Sequence, residues 1–289
     1  MSAVDSMQKE FCTPRPIEFR VSENEVLRAD ALGDPARPAV LLAHGGGQTR
    51  YAWAGAAAAL AEAGRYAVAL DLRGHGESDW AADGDYTLAA FADDFRQIAA
   101  TLNRPAMVGA SLGGFAAMLA EGEAPGGLFS ALVLVDIAPR IQTEGAERIV
   151  AFMNAHLEDG FASVEEAGQA VAAYLPHRAA RSNVEGLRKN LRLGPDGRYR
   201  WHWDPAFLRR DRTSFESEVP RVHAAARQIK TPTLLLRGSR SDLVSPEDAQ
   251  HFLTVVPHAQ YRDVSGAGHM VAGDKNDLFI AAMLEFLKT

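Results

Sequence analysis

Gly109-Ala-Ser111-Leu-Gly113 sets one serine between two glycines, directly after the apolar Pro105-Ala-Met-Val108. If the apolar run is a strand and 112–121 a helix, Ser111 sits on a sharp turn and projects above a sheet, where a substrate can reach it. Small neighbours let such a turn close without clashes. Phosphate-loop chemistry fits poorly, because the chain has no G-x-G-x-x-G and no lysine followed by serine or threonine in such a loop.

A serine hydroxyl is a weak nucleophile near neutral pH, so it needs a base, and the base needs an orienting acid. His269 lies in Gly266-Ala-Gly268-His269, a glycine-rich loop after the last expected strand, where a general base belongs. The acid should follow the preceding strand, which selects Asp242 in Gly238-Ser-Arg-Ser-Asp242. Asp136, at the end of the apolar Leu-Val-Leu-Val run, competes from one strand earlier; its structural alternative is to tie down the loop that follows. Chain order and strand position favour Asp242. Acyl transfer also needs donors where an oxyanion develops. His44-Gly45-Gly46-Gly47 offers closely approaching N–H groups, Gly46 first and Gly47 next, and Leu112 offers one at a helix start.

These residues need elements to hold them. Short strands are expected at 16–22 and 25–31, a strand buried on both faces at 38–43, and further strands at 66–71, 105–110, 131–136, 233–237 and 259–264. Helical patterns fall between them at 52–63, 87–102, 112–121, 246–256 and 276–287. This alternation predicts an α/β fold with a parallel sheet and helices on both faces. It lapses between Pro139 and Pro220, where helical patterns near 144–158, 163–175 and 182–192 precede the turn Gly194-Pro-Asp-Gly197 and an aromatic run. A further helix is expected at 219–229.

The 289 residues carry 30 basic and 37 acidic side chains, a net charge of −7 with no long block of one sign. This excludes the electrostatic footprint of a nucleic-acid or anionic-membrane partner. The single cysteine, Cys12, forms no internal disulfide and belongs to no metal-binding cluster, so no metal or cofactor is expected. No secretory signal or apolar run of membrane-spanning length is visible, and the expected compartment is the cytoplasm.

HGGG, Asp71–Ser78 (DLRGHGES), GASLGG, the Val135–Pro139 stretch, GSRSDLV and GAGH follow one another in an order that resembles the α/β-hydrolase superfamily over essentially the whole chain. The resemblance is to its capped Ser-His-Asp branch of esterases, lactonases and haloperoxidase-like enzymes. It implies the α/β-hydrolase fold, with a mostly parallel central sheet of about eight strands. Residues 1–138 and 221–289 would form the core domain and 139–220 a helical cap. It also implies a structural role for Asp71, Arg73 and His75. Serine at the elbow argues against haloalkane dehalogenases and epoxide hydrolases, which carry aspartate there.

The cap of such an enzyme selects the substrate. Trp201 and Trp203, with Tyr199 and Phe207, would wall the pocket or pack the cap onto the core. Gln48, Arg50 and Trp53 follow the oxyanion loop and would border the entrance, Arg50 either pairing with a substrate carboxylate or lying solvated. The expected reaction is cofactor-free hydrolysis of a carboxylic ester or lactone, with large macrolide-like lactones among the candidates. Carbon–carbon bond hydrolysis, perhydrolysis and ligand binding without turnover remain alternatives, and monomer and homodimer stay open.

Overall fold

The computed structural model describes residues 13–174, 184–209, 212–269 and 276–288. Cys12 and the beginning of the helix expected at 182–192 lie outside them.

Eight strands form one sheet. They are β1 (Arg15–Arg20), β2 (Val26–Leu32), β3 (Ala39–Ala43), β4 (Tyr66–Leu70), β5 (Ala106–Ala110), β6 (Leu132–Val135), β9 (Thr233–Gly238) and β10 (Gln260–Val264), in the spatial order β1-β2-β4-β3-β5-β6-β9-β10. β1 pairs antiparallel with β2, and β2 antiparallel with β4; from β4 to β10 every pairing is parallel. The chemistry of the strands explains the division. β3 and β6 are apolar and buried along their whole length, as strands covered on both faces must be, whereas β1 alternates half-buried and exposed residues at the sheet edge.

Helices cover both faces. On one side α2 (Leu88–Thr101), α3 (Leu112–Glu123) and α8 (Pro246–Val255) bury Phe91, Phe95, Phe115 and Phe252 against Leu41, Leu70 and Leu134. On the other, α1 (Ala54–Glu62) and α9 (Asn276–Leu287) bury Trp53, Leu60, Phe279 and Met283 against Val40, Leu42 and Val108. Thr87 caps α2 by accepting the Ala90 N–H, and Ser245 with Asp248 forms a capping box at α8.

Between β6 and β9 the chain leaves the sheet. It forms α4 (Thr143–Asn154), α5 (Val164–Tyr174), a 3₁₀ helix (Val184–Asn190), the hairpin β7 (Leu191–Leu193) and β8 (Tyr199–Trp201), the single turn α6 (Pro205–Leu208) and α7 (Arg212–Ala226). The hairpin adds strands to the mainly helical expectation: they are three residues long, too short for an alternating pattern to register, although its Gly194–Gly197 turn was legible. α7 also starts earlier than expected and carries Pro220 inside it. The segment has its own apolar cluster of Met153, Phe161, Ala167, Trp201 and Trp203. Among the described residues no helix is long and apolar enough to cross a membrane.

Candidate active site

Parallel register brings distant residues to one edge. Ala43 lies beside Gly109, Ala110 beside Val135, Val135 beside Leu236, and Gly238 beside Val264. The residues that follow these strand ends therefore gather in a row: the oxyanion-loop candidates after β3, Ser111 after β5, Asp136 after β6, the 239–245 loop after β9 and His269 after β10.

Ser111 joins β5 to α3 with φ 46° and ψ −113°. A non-glycine residue costs about 1–3 kcal/mol in such a conformation, which persists only where the surroundings enforce it. Here the enforcement is backbone crowding. A Cβ on Gly109 would stand 2.7 Å from the Gly113 carbonyl oxygen, and one on Gly113 would stand 2.7 Å from that of Ala43.

His269 Nδ1 lies 2.7 Å from Asp136 Oδ2. Asp136 is wholly buried and accepts the Gly238 N–H (2.9 Å, Oδ1) and the Ser241 hydroxyl (2.6 Å, Oδ2). A carboxylate so placed fixes the proton on Nδ1 and leaves the Nε2 lone pair of His269 as the base. The selection of Asp242 as the acid is thereby corrected. Its carboxylate is half exposed and ion-pairs with Arg148 of α4, and its backbone carbonyl lies against Gly145. Asp136 immediately follows its strand, whereas Asp242 stands four residues beyond β9 on a loop that turns outward. The loop contributes Ser241 to the site instead. Asp136 also adopts φ 51°, a second enforced conformation at the same edge.

Among the described residues neither the Gly46 nor the Leu112 N–H has a hydrogen-bond partner, while the groups around Gly46 are committed. The Gly45 N–H donates to Gln48 Oε1 (3.1 Å) and the Gly47 N–H to His75 Nε2 (3.1 Å). His44 donates from Nδ1 to the Gly45 carbonyl (2.8 Å) and accepts the Leu72 N–H (3.1 Å). Burial lowers the His44 pKa to about 4. Burial and the neighbouring His44 lower that of His75 to about 3. Both rings are neutral, as their roles as acceptors require.

Three expected substrate contacts are corrected. Arg50 is buried, with its guanidinium on Asp71, Glu77 and Asp30; burial opposes its charge, but these carboxylates raise its pKa. The carboxylates of the DLRGHGES region and of β2 consume the arginine that sequence alone left at the entrance. Trp53 lies under the sheet against Phe279, because the 3₁₀ turn Arg50–Trp53 points it inward. Trp201 stacks behind Trp203 (centroids 5.1 Å apart) and packs on Phe152 and Phe161, inside the apolar cluster of its own segment. Gln48 is placed to brace Gly45.

Trp203 stands at the oxyanion loop, its Cζ3 3.3 Å from where a Cβ on Gly47 would be. Phe207 and Met153 approach the Gly46 position at 3.6 and 3.8 Å on the same basis. Met153 was missed by sequence reasoning; it is one apolar residue of the amphipathic α4, and nothing in that pattern marks which turn faces Gly46.

Residues 40–282 match the sequence model of the alpha/beta hydrolase family. The chain is 30% identical over 261 residues to the esterase Rv0045c of Mycobacterium tuberculosis (strain ATCC 25618 / H37Rv), covering 87% of this chain and 83% of that protein. It is 29% identical over 257 residues to a 3-hydroxybutyrate-oligomer hydrolase of Cupriavidus necator (strain ATCC 17699 / DSM 428 / KCTC 22496 / NCIMB 10442 / H16 / Stanier 337), covering 82% and 84%. Among solved structures, E-2-(acetamidomethylene)succinate hydrolase superposes with a TM-score of 0.84 at 23% identity, over 96% of this chain and 100% of that one, a likeness of fold. The register that gathers Ser111, Asp136 and His269 and the sequence match across 40–282 lead to one statement: the chain belongs to the alpha/beta hydrolase family.

Proposed function

We propose that the protein is a serine hydrolase that cleaves small carboxylic esters or lactones through an acyl-enzyme. The observation that carries this reading is the His269–Asp136 contact at the edge where Ser111 is held in its enforced turn. His269 Nε2 takes the Ser111 proton as Oγ attacks the ester carbonyl. The Gly46 and Leu112 N–H groups donate to the oxyanion of the tetrahedral intermediate. His269 then protonates the leaving alcohol, and a second cycle, with water as nucleophile, releases the acid and restores Ser111. The Asp136 carboxylate stabilises the imidazolium that forms twice per turnover. No cofactor is needed for any of these steps.

The segment 139–220 acts as a cap over this edge. Met153, Trp203 and Phe207 lie over the Gly46–Gly47 stretch, so the group next to the scissile carbonyl meets apolar surface. With Arg50 committed to its three carboxylates, this favours an uncharged, apolar acyl group. The sequence likeness to an esterase and to a 3-hydroxybutyrate-oligomer hydrolase supports ester cleavage.

The test combines a fluorophosphonate with p-nitrophenyl acetate, butyrate and octanoate and a set of lactones. Peptide mapping should find the phosphonate on Ser111, and Ser111→Ala should abolish both labelling and turnover. Folded protein that forms no adduct on Ser111 would refute the proposal.

A further inference from the structure

Three buried histidines surround the oxyanion loop, and the mechanism above uses none of them. His44 and His75 come from the core, their ring centroids 5.3 Å apart; His202 comes from the segment 139–220 and lies 5.8 Å from His75. Each is almost inaccessible to solvent.

Gly47 and the turn that carries His75 are held by two of them. Its N–H donates to His75 Nε2 (3.1 Å), and His75 is itself oriented by donating from Nδ1 to the Arg73 carbonyl (2.9 Å). His202 Nδ1 accepts the Gly76 N–H (2.6 Å), which fixes the ring proton on Nε2. That Nε2 is buried and has no hydrogen-bond partner among the described residues. Gly47 is therefore held through its N–H by a core histidine, whose own 74–76 turn is held through the Gly76 N–H by a histidine of the inserted segment. Its φ of +74° is a conformation that glycine adopts without penalty.

The 74–76 turn serves both histidines, since it carries His75 and receives His202. It also receives Arg192 on the Gly76 carbonyl (2.6 Å) and gives the Gly74 carbonyl to the Asp204 N–H (2.8 Å). Thr49, just past the oxyanion loop, donates its hydroxyl to Asn190 Oδ1 (2.9 Å). The hairpin β7–β8 and its flanks are thus seated on the same turn that props Gly47.

We infer that His75 and His202 are positioning residues, His75 gripping the Gly47 N–H and His202 of the cap holding the 74–76 turn that carries His75, so that the Gly46 N–H is set for the oxyanion only when the cap is seated. The inference rests on the serine-hydrolase reading. Neither histidine touches substrate; each acts through the loop. The seated cap builds part of the catalytic machinery as well as covering it.

The two histidines make opposite demands on replacement. Glutamine places its carbonyl oxygen near the Nε2 position of a histidine, and asparagine places its own near Nδ1. His75 accepts through Nε2 and His202 through Nδ1. The experiment measures kcat and KM for p-nitrophenyl butyrate on the full-length wild type and on Ser111→Ala, His75→Gln, His75→Asn, His202→Asn and His202→Gln, with thermal midpoints in parallel. His75→Gln and His202→Asn are expected to stay within about fivefold of the wild-type kcat. His75→Asn should lose about 100-fold and His202→Gln at least about 10-fold, with KM within about threefold, as expected when an oxyanion donor is misplaced. A merely structural role would lower the midpoints without this crossed pattern in kcat. Equal kcat in all four variants, the same Gln/Asn preference at both positions, or losses confined to KM would overturn the inference. If His75→Asn does not fold, the His202 pair decides. Wild type without Ser111-dependent turnover would refute the hydrolase reading itself, and the inference with it.

Discussion

The Gly113 N–H donates to the carbonyl oxygen of His44 (3.2 Å), tying the first turn of α3 to the start of the oxyanion loop. The elbow that displays Ser111 and the loop that presents Gly46 are thus one backbone assembly. A Cβ on Gly113 would stand 2.7 Å from the Ala43 carbonyl oxygen and 2.8 Å from that of His44. Both are main-chain atoms at the end of a central strand, which cannot yield without moving β3.

Gly113→Ala should therefore destabilise the fold by about 1–3 kcal/mol, the usual cost of overpacking. It should also depress kcat, because the strain falls on the oxyanion loop. Urea unfolding together with ester kinetics checks both. A wild-type urea midpoint would show that the contact is relieved elsewhere.

Arg50 makes a second prediction, on stability. Its guanidinium is buried against the wholly buried Asp71. Arg50→Met removes the cation and leaves the buried Asp71 carboxylate with the Arg50 and Glu77 backbone N–H groups but no opposing charge, at a cost of about 3–5 kcal/mol. The ratio of KM values for a carboxylate-bearing ester and its neutral analogue should not change in whatever fraction remains folded. A variant of normal stability with a selectively raised KM for the acidic ester would return Arg50 to the substrate site.

His44 and His75 predict an acid limb in stability. Burial holds their folded pKa values at about 4 and about 3, below the 6.5 of an unperturbed histidine. Between these values the unfolded chain binds more protons than the native one, so unfolding is favoured as pH falls. The stability is present above pH 6.5 and is lost as pH falls towards about 4 for His44 and about 3 for His75. Well below 6.5 each ring contributes about 1.4 kcal/mol per pH unit. Urea titrations at pH 7, 6, 5 and 4.5 should show the decline, and His75→Gln should flatten it by about one ring's worth. An unchanged slope in the variant would contradict the neutral, buried assignment.

The sheet was legible because buried parallel strands such as Ala39–Ala43 and Leu132–Val135 are unbroken apolar runs, and the glycines around Ser111 announce a turn whatever surrounds it. What escaped was choice among equivalents. Asp136 and Asp242 both follow strands that end at the same edge, and chain order cannot say which loop turns inward; Asp136 stands directly after its strand, whereas Asp242 lies four residues out and pairs with Arg148. Arg50, Trp53 and Trp201 were misplaced for a related reason. Proximity in sequence to a glycine loop or to an aromatic run does not fix the direction of a side chain, and in each case a partner far along the chain (Asp71, Phe279, Phe161) decides it.

The most direct test is to replace each carboxylate separately with its amide. Asp136→Asn should lower kcat for p-nitrophenyl butyrate by about 10⁴-fold, because the amide cannot hold the tautomer that leaves Nε2 of His269 free. Asp242→Asn breaks only its half-exposed pair with Arg148 and should leave kcat within about threefold of the wild type. The reverse result, a near-inactive Asp242→Asn beside a nearly wild-type Asp136→Asn, would contradict the Ser111–His269–Asp136 assignment.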